Sequence, residues 1–216
     1  MFRRSSYLFY LYCNMEHAFL ALGDSYTIGE LVPLHDNFPY QTCQLLRKKF
    51  LDEHTFQAPE IVAKTGWTTD ELQSQINQTS FLKRYDIVSL LIGVNNQYRG
   101  RTVDNYATEF EQLLQQAIAF AEGQQHRVFV LSIPDWGVTP FAEGRDRQAI
   151  ADEIDQYNNA CKTITQRMGC MFIDITSSQR ADGNIKEFLA EDGLHPSGKE
   201  YQKWAIKLAD CISKSL

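Results

Sequence analysis

Two six-residue runs, Ile-Val-Ser-Leu-Leu-Ile at 87–92 and Val-Phe-Val-Leu-Ser-Ile at 128–133, are apolar at nearly every position. A strand with one wet face alternates polar and apolar residues. A run without alternation must be covered on both faces, as in a parallel sheet between two helix layers. Further apolar runs lie at His17–Leu22, Glu60–Ala63 and Met171–Ile175. Between the runs, apolar residues recur in steps of three and four. One set is Val103, Tyr106, Phe110, Leu113, Leu114, Ala117, Ile118 and Ala121; a second is Ile150, Ile154, Tyr157, Cys161, Ile164 and Met168. Tyr201, Trp204, Leu208 and Cys211 repeat the pattern near the C-terminus. Strand–helix alternation requires right-handed crossovers and helices on both faces of the sheet. The expectation is therefore one α/β domain over 15–216, a three-layer α/β/α sandwich with a five-stranded parallel sheet, flavodoxin-like in its layers. The 216 residues suffice for one well-buried core and are short for two.

In such sheets ligands bind beyond the carboxyl ends of the strands. Three groups of chemically useful residues fall there. Gly23-Asp24-Ser25-Tyr26 follows the first run, Gly66 follows the second, and Gly93-Val94-Asn95-Asn96 follows the third. A fourth group, Asp192-Gly193-Leu194-His195, lies near the C-terminus. A serine hydroxyl is a poor nucleophile until a base stands beside it, and a base works best when a third group orients it. Ser25, His195 and Asp192 supply those three parts. Gly66 and Asn95, with the backbone N–H of Ser25, supply donors for an oxyanion. Each residue also has a plainer role open to it. Ser25 fits a helix N-cap, His195 a surface loop, Asp192 and Gly66 ordinary turns, and Asn95 a cap beside Asn96. Asp24 is expected to hold its own turn by accepting backbone N–H bonds, and Gly23 to let the chain turn sharply. Thr27 stands where Gly-x-Ser-x-Gly would need its second glycine, which argues against a lipase-type nucleophile elbow.

Four blocks in this order, GDS, a glycine after a strand, GxN and DxxH, resemble the GDSL-type esterases and lipases of the SGNH hydrolase superfamily. The resemblance runs from about Ala18 to the C-terminus. Tyr26 stands where the family name implies leucine, and Asn96 where aspartate is commoner; neither residue performs the chemistry. The resemblance implies a serine hydrolase of carboxylic esters with a Ser25–His195–Asp192 triad. The blocks are shared by lysophospholipases, thioesterases and carbohydrate deacetylases. The stretch KTGWTTDEL at 64–72 looks like small bacterial acyl esterases and implies a short acyl group. Tyr26, Trp67, Asn96, Gln97, Tyr98, Trp136 and Phe141 flank the strand ends and are candidates for a substrate pocket. The loop 134–146 is a candidate mobile cover. Two other classes stay open: a catalytically silent carbohydrate-binding domain, and a flavodoxin-like regulatory or nucleotide-binding module, which the lack of a Gly-rich phosphate loop disfavours.

A net charge of −6 with no dense basic run argues against a nucleic-acid partner. No apolar stretch has the length of a bilayer span. The five cysteines include no CxxC pair, and no carboxylate–histidine cluster beyond the DxxH pair implies a metal or cofactor. Cys43, Cys161 and Cys211 read as small core residues, a usage that fits a cytoplasmic chain. Residues 1–14 carry a short tyrosine-rich apolar stretch after Arg3-Arg4. They are expected to be an extension outside the core with Met15 as a start, or else part of a signal that would place the protein in the periplasm or outside the cell. Oligomeric state is not encoded in any pattern found.

Overall fold

The computed structural model describes residues 15–51 and 53–216; the expected extension at 1–14 lies outside them. In chain order the strands are β1 (Met15–His17), β2 (Phe19–Asp24), β3 (His54–Phe56), β4 (Glu60–Lys64), β5 (Ile87–Leu91), β6 (Val128–Leu131) and β7 (Met171–Ile173). The helices are α1 (Ser25–Ile28), α2 (Phe38–Phe50), α3 (Thr69–Ile76), α4 (Val94–Tyr98), α5 (Val103–Phe120), α6 (Arg147–Arg167), α7 (Thr176–Asp182) and α8 (Gly198–Ser213).

The main sheet has five strands in the order β4-β2-β5-β6-β7, and every pairing is parallel. Helices α2 and α8 pack together in one layer, and α3, α5 and α6 in the other. Every residue of β2, β5 and β6 is buried, whereas the edge strands β4 and β7 are only partly covered. This is why the central runs lack alternation. Leu20, Leu22, Val88, Leu90 and Val130 have no exposed surface, and each such side chain contributes about 1.5–3 kcal/mol on burial. The first strand of this sheet, β2, sits inside it, with its sequence successor β4 on one side and β5 on the other. The crevice between β2 and β5 is therefore the topological switch point, the place where open α/β sheets bind ligands.

Several local expectations are corrected. The run 17–22 breaks at Ala18, whose N–H donates to Asp86 Oδ2 at 3.1 Å, so the main strand begins at Phe19. Residues 15–17 instead pair with β3 in a separate two-stranded ladder. There His17 Nε2 lies 2.7 Å from His54 Nδ1, with the imidazoles and the Phe56 ring stacked. The strands in the runs 87–92, 128–133 and 171–175 end one or two residues before the last apolar residue, with Ile92, Ile133 and Ile175 buried beyond the ladder, whereas β4 continues one residue past its run to Lys64. A Thr68–Glu71 capping box forms at the start of α3, with the Thr68 N–H on Glu71 at 2.9 Å. Ser197 and Glu200 have the same spacing at the start of α8, but no box forms there. Ser197 Oγ donates to the Glu187 carbonyl at 2.7 Å, and Glu200 accepts from Ser178 and the Trp204 indole, each at 3.0 Å. Tertiary partners outcompete the local pair because Glu200 is almost fully buried. Among the described residues no helix is long and apolar enough to cross a membrane.

Candidate active site

The turn after β2 is built by Asp24. Its Oδ1 accepts the Tyr26 N–H at 3.0 Å, which caps the single turn α1 and makes Ser25 its first residue. The cap is thus the aspartate, as the turn-holding expectation has it, and Ser25 is free of that duty. Gly23 acts through space, not through conformation. Its φ is not positive, but a Cβ there would sit 2.1 Å from Thr27 Oγ1 and 2.4 Å from the Leu91 carbonyl. Any side chain would push β2 and β5 apart beneath Ser25.

His195 reaches the same point from the far end of the chain. Its loop is pinched by a bridge between Leu189 and Pro196, with the Ala190 N–H on the His195 carbonyl at 2.8 Å. Asp192 folds the loop inward: Oδ1 accepts the Leu194 and His195 N–H groups, each at 3.0 Å. Gly193 supplies the positive φ of 65° that this turn requires. The other carboxylate oxygen, Oδ2, lies 2.6 Å from His195 Nδ1, and His195 Nε2 lies 3.0 Å from Ser25 Oγ. Burial alone would raise the Asp192 carboxyl, but the bonds from His195 and the two backbone N–H groups hold it below its ordinary value. An ionised carboxylate can only accept, so Nδ1 carries the proton and Nε2 offers its lone pair to the serine hydroxyl. Ser25 and His195 are both buried, at 4% and 7% exposure, so this exchange is shielded from bulk water.

The donors sit across the crevice. Gly66 has φ +83° and its carbonyl is held by Arg99 Nη2 at 2.6 Å. Asn95 Nδ2 donates to the Trp67 carbonyl at 3.0 Å and lies 3.5 Å from Asp24 Oδ2, which ties the ends of β4, β5 and β2 together. Among the described residues, the backbone N–H of Gly66 meets no protein acceptor. Gly93, before Asn95, has φ +132°, and a Cβ there would lie 2.5 Å from the Tyr106 ring.

These groups line one cavity of about 190 Å³ together with Tyr26, Thr65, Val94, Tyr98, Trp136, Phe141 and Leu194. Of the sequence candidates, Tyr26, Tyr98, Trp136 and Phe141 are therefore wall residues. Trp67 and Asn96 are not. Trp67 contributes its carbonyl to Asn95 and packs against the core. Asn96 is fully buried and clamps Thr69 through the Thr69 N–H at 3.1 Å and hydroxyl at 2.6 Å. Helix geometry explains the split. Asn95 and Tyr98 are three apart on one face of α4, whereas Asn96 points a quarter-turn away. Gln97 stands behind the wall, accepting the Trp136 indole N–H at 2.8 Å. Sequence reasoning misses Thr65, Val94 and Leu194. Each adjoins a motif residue, and that adjacency is the available signal.

The loop 134–146, a candidate mobile cover, makes several contacts with the rest of the fold. Buried Asp135 pairs with Arg180 at 2.8 Å and accepts the Gly137 N–H at 2.9 Å. Thr139 Oγ1 donates to the Trp136 carbonyl at 2.6 Å, and the Phe141 N–H to the Gly193 carbonyl at 3.1 Å.

Asp24 carries a testable electrostatic feature. Complete burial pushes its carboxyl up to about 7, against the opposing backbone bonds. A carboxyl whose folded value is raised contributes stability that is complete below the unfolded value near 4 and is lost as pH rises through 7. Asp24→Asn, which is neutral throughout, is expected to raise the unfolding temperature relative to wild type at pH 8 and not at pH 4. Equal shifts at both pH values, in thermal unfolding followed by circular dichroism, would contradict this.

Among the described residues no group of three or more His, Cys, Asp or Glu side chains is placed to hold a metal ion. Solved structures of similar fold include LAE5, an alpha/beta hydrolase enzyme from the metagenome of Lake Arreo, Spain. It is 17% identical with a TM-score of 0.69, over 95% of this chain and 99% of that one. Axe2, an acetylxylan esterase from Geobacillus stearothermophilus, is 17% identical with a TM-score of 0.68, over 92% and 95%. A lipase/acylhydrolase from Enterococcus faecalis is 20% identical with a TM-score of 0.67, over 92% and 96%. No curated protein matches the chain in sequence. The GDSL-like Lipase/Acylhydrolase family matches residues 21–203, most of the chain, and the four motif blocks all fall inside that span. This chain belongs to the GDSL-like lipase/acylhydrolase family.

Proposed function

We propose that this hydrolase cleaves carboxylic esters of short acyl chains through an acyl-enzyme on Ser25. The observation that carries the reading is the unbroken series Ser25 Oγ–His195 Nε2–Asp192 at 3.0 and 2.6 Å, opening on a cavity that Gly66 and Asn95 also line. Ser25 Oγ attacks the ester carbonyl carbon as its proton passes to His195 Nε2. Asp192 keeps the imidazole in the required tautomer and stabilises the imidazolium. The Ser25 and Gly66 N–H groups and the Asn95 amide hold the oxyanion. The intermediate collapses, the C–O bond to the alcohol breaks, and His195 returns its proton to the leaving oxygen. Water then repeats the attack with His195 as base, releasing the acid and restoring Ser25.

A short acyl group is favoured by volume. Pockets for drug-sized ligands run to roughly 300–1,000 Å³, and this cavity is about 190 Å³. A second reading, removal of acetyl groups from carbohydrate, draws on the half-exposed rings of Tyr98 and Phe141 at the mouth, where a sugar face could stack. Both readings use the same residues, in the cytoplasm or beyond it. Initial rates on p-nitrophenyl esters from acetyl to palmitoyl, beside a Ser25→Ala control, test the first. Rates highest from acetyl to hexanoyl are expected. No rate above the control at any chain length would overturn it, and acetylated xylo-oligosaccharides would then test the second.

A further inference from the structure

The far wall of the cavity is the indole of Trp136, and it is held more firmly than a pocket side chain needs to be for packing alone. The ring is 4% exposed, with Tyr98 and Phe141 edge-on to it at centroid distances of 5.3 and 6.0 Å. Its N–H donates to Gln97 Oε1 at 2.8 Å, and Gln97 Nε2 donates to Glu153 Oε2 on α6 at 2.6 Å. The backbone beneath is fixed as well, with the Gly137 carbonyl accepting from Arg147 Nη1 at 2.5 Å and the Asp135–Arg180 pair below. A side chain anchored at both ends of its connection cannot swing aside to admit a longer ligand.

Resting on the ester-hydrolase reading, we propose that Trp136, tethered through Gln97 to Glu153, is the stop that sets acyl chain length. The direction follows from the chemistry. The leaving oxygen must face His195 to receive its proton, so the alcohol lies on the side of His195 and Leu194. The carbonyl oxygen faces Asn95, and the acyl chain takes the remaining side of the cavity, toward Tyr98 and the Trp136 ring. Gln97 is a positioning residue in this scheme and touches no substrate.

The test uses the full chain as wild type, Trp136→Ala, Trp136→Phe and Gln97→Leu, each checked for cooperative thermal unfolding. Two series are run. One varies the acyl group, acetyl to dodecanoyl, on p-nitrophenol; the other varies the alcohol, ethyl to octyl, on acetate. One methylene in an apolar pocket is worth about 10–200-fold in kcat/KM. Trp136→Ala is expected to raise the octanoyl-to-butyryl ratio of kcat/KM by at least about tenfold. The gain should appear mainly in KM for the long-chain esters. Trp136→Phe, which keeps a ring and should fold where alanine fails, is expected to shift the ratio in the same direction by less. Gln97→Leu, which leaves the ring in place but untethered, should do likewise, with a profile broadened toward long chains. Active variants with the wild-type acyl profile would overturn the assignment, as would a shift confined to the alcohol series. A wild type no faster than Ser25→Ala would overturn the esterase reading, and the assignment with it.

Discussion

Ser25→Ala is expected to lower kcat/KM for a short p-nitrophenyl ester by about 10⁶-fold, and His195→Ala by a similar factor. The double variant should be no slower than either single one. Non-additivity follows from the geometry. At 3.0 Å the hydroxyl and imidazole form one proton-transfer unit, and removing either half leaves the other idle. Asp192→Asn should cost less, about 10⁴-fold, because it corrupts the tautomer while leaving nucleophile and base in place. Steady-state rates for the four variants, with mass spectrometry of a phosphonate adduct on Ser25, decide this. Losses that multiply in the double variant would show that the two side chains act separately, and adduct formation on another residue would remove Ser25 from its role.

Asn95→Ala carries the second large effect, a fall in kcat of about 10²–10³-fold with little change in KM. An oxyanion exists only after the attack, so a donor aimed at it leaves ground-state binding almost untouched. The substitution also strips a donor from the Trp67 carbonyl, a structural loss that must be separated from the chemical one. Thermal unfolding measured beside the kinetics serves that purpose; Asn95→Asp, which removes the same N–H groups and sets a carboxylate where the amide now stands 3.5 Å from Asp24 Oδ2, should be at least as slow. If both variants keep wild-type kcat, Asn95 is a tie between strand ends and nothing more. Both substitutions leave the Ser25–His195 contact intact, so labelling of Ser25 should persist in each even as turnover falls.

The two proposals about chemistry and chain length meet at α4. Its single turn aims Asn95 and Tyr98 into the cavity and turns Gln97 toward the Trp136 indole. The proposed oxyanion donor, one wall and the anchor of another wall thus ride on five residues, Val94–Tyr98. The rigidity of that turn has an identifiable source. Asn96 clamps Thr69 at the start of α3, and Gly93 lets the chain leave β5 beneath the Tyr106 ring. Adjacency to Asn95 makes Asn96 a pocket candidate in the sequence; in the fold it supports the pocket from behind.

Much of this protein was determined by its sequence alone. The almost wholly apolar runs at 87–92 and 128–133 read as strands covered on both faces, and the helical segments between them required parallel crossovers. Ser25, Gly66, Asn95, Asp192 and His195 were legible because each lies in a short block whose spacing is local, and local spacing survives folding. The tertiary structure decided whatever depended on partners distant in sequence. The pairing of His17 with His54 diverted residues 15–17 out of the main sheet, although hydropathy alone continued the strand back to His17. Ser197 and Glu200 have the spacing of a capping box and are drawn instead to Glu187 and Ser178. The depth of the cavity rests on an indole, an amide and a carboxylate from 136, 97 and 153, which no window of sequence brings together. A block motif constrains which atoms react. How much room they are given is set by side-chain packing between elements, and packing is a property of the folded chain.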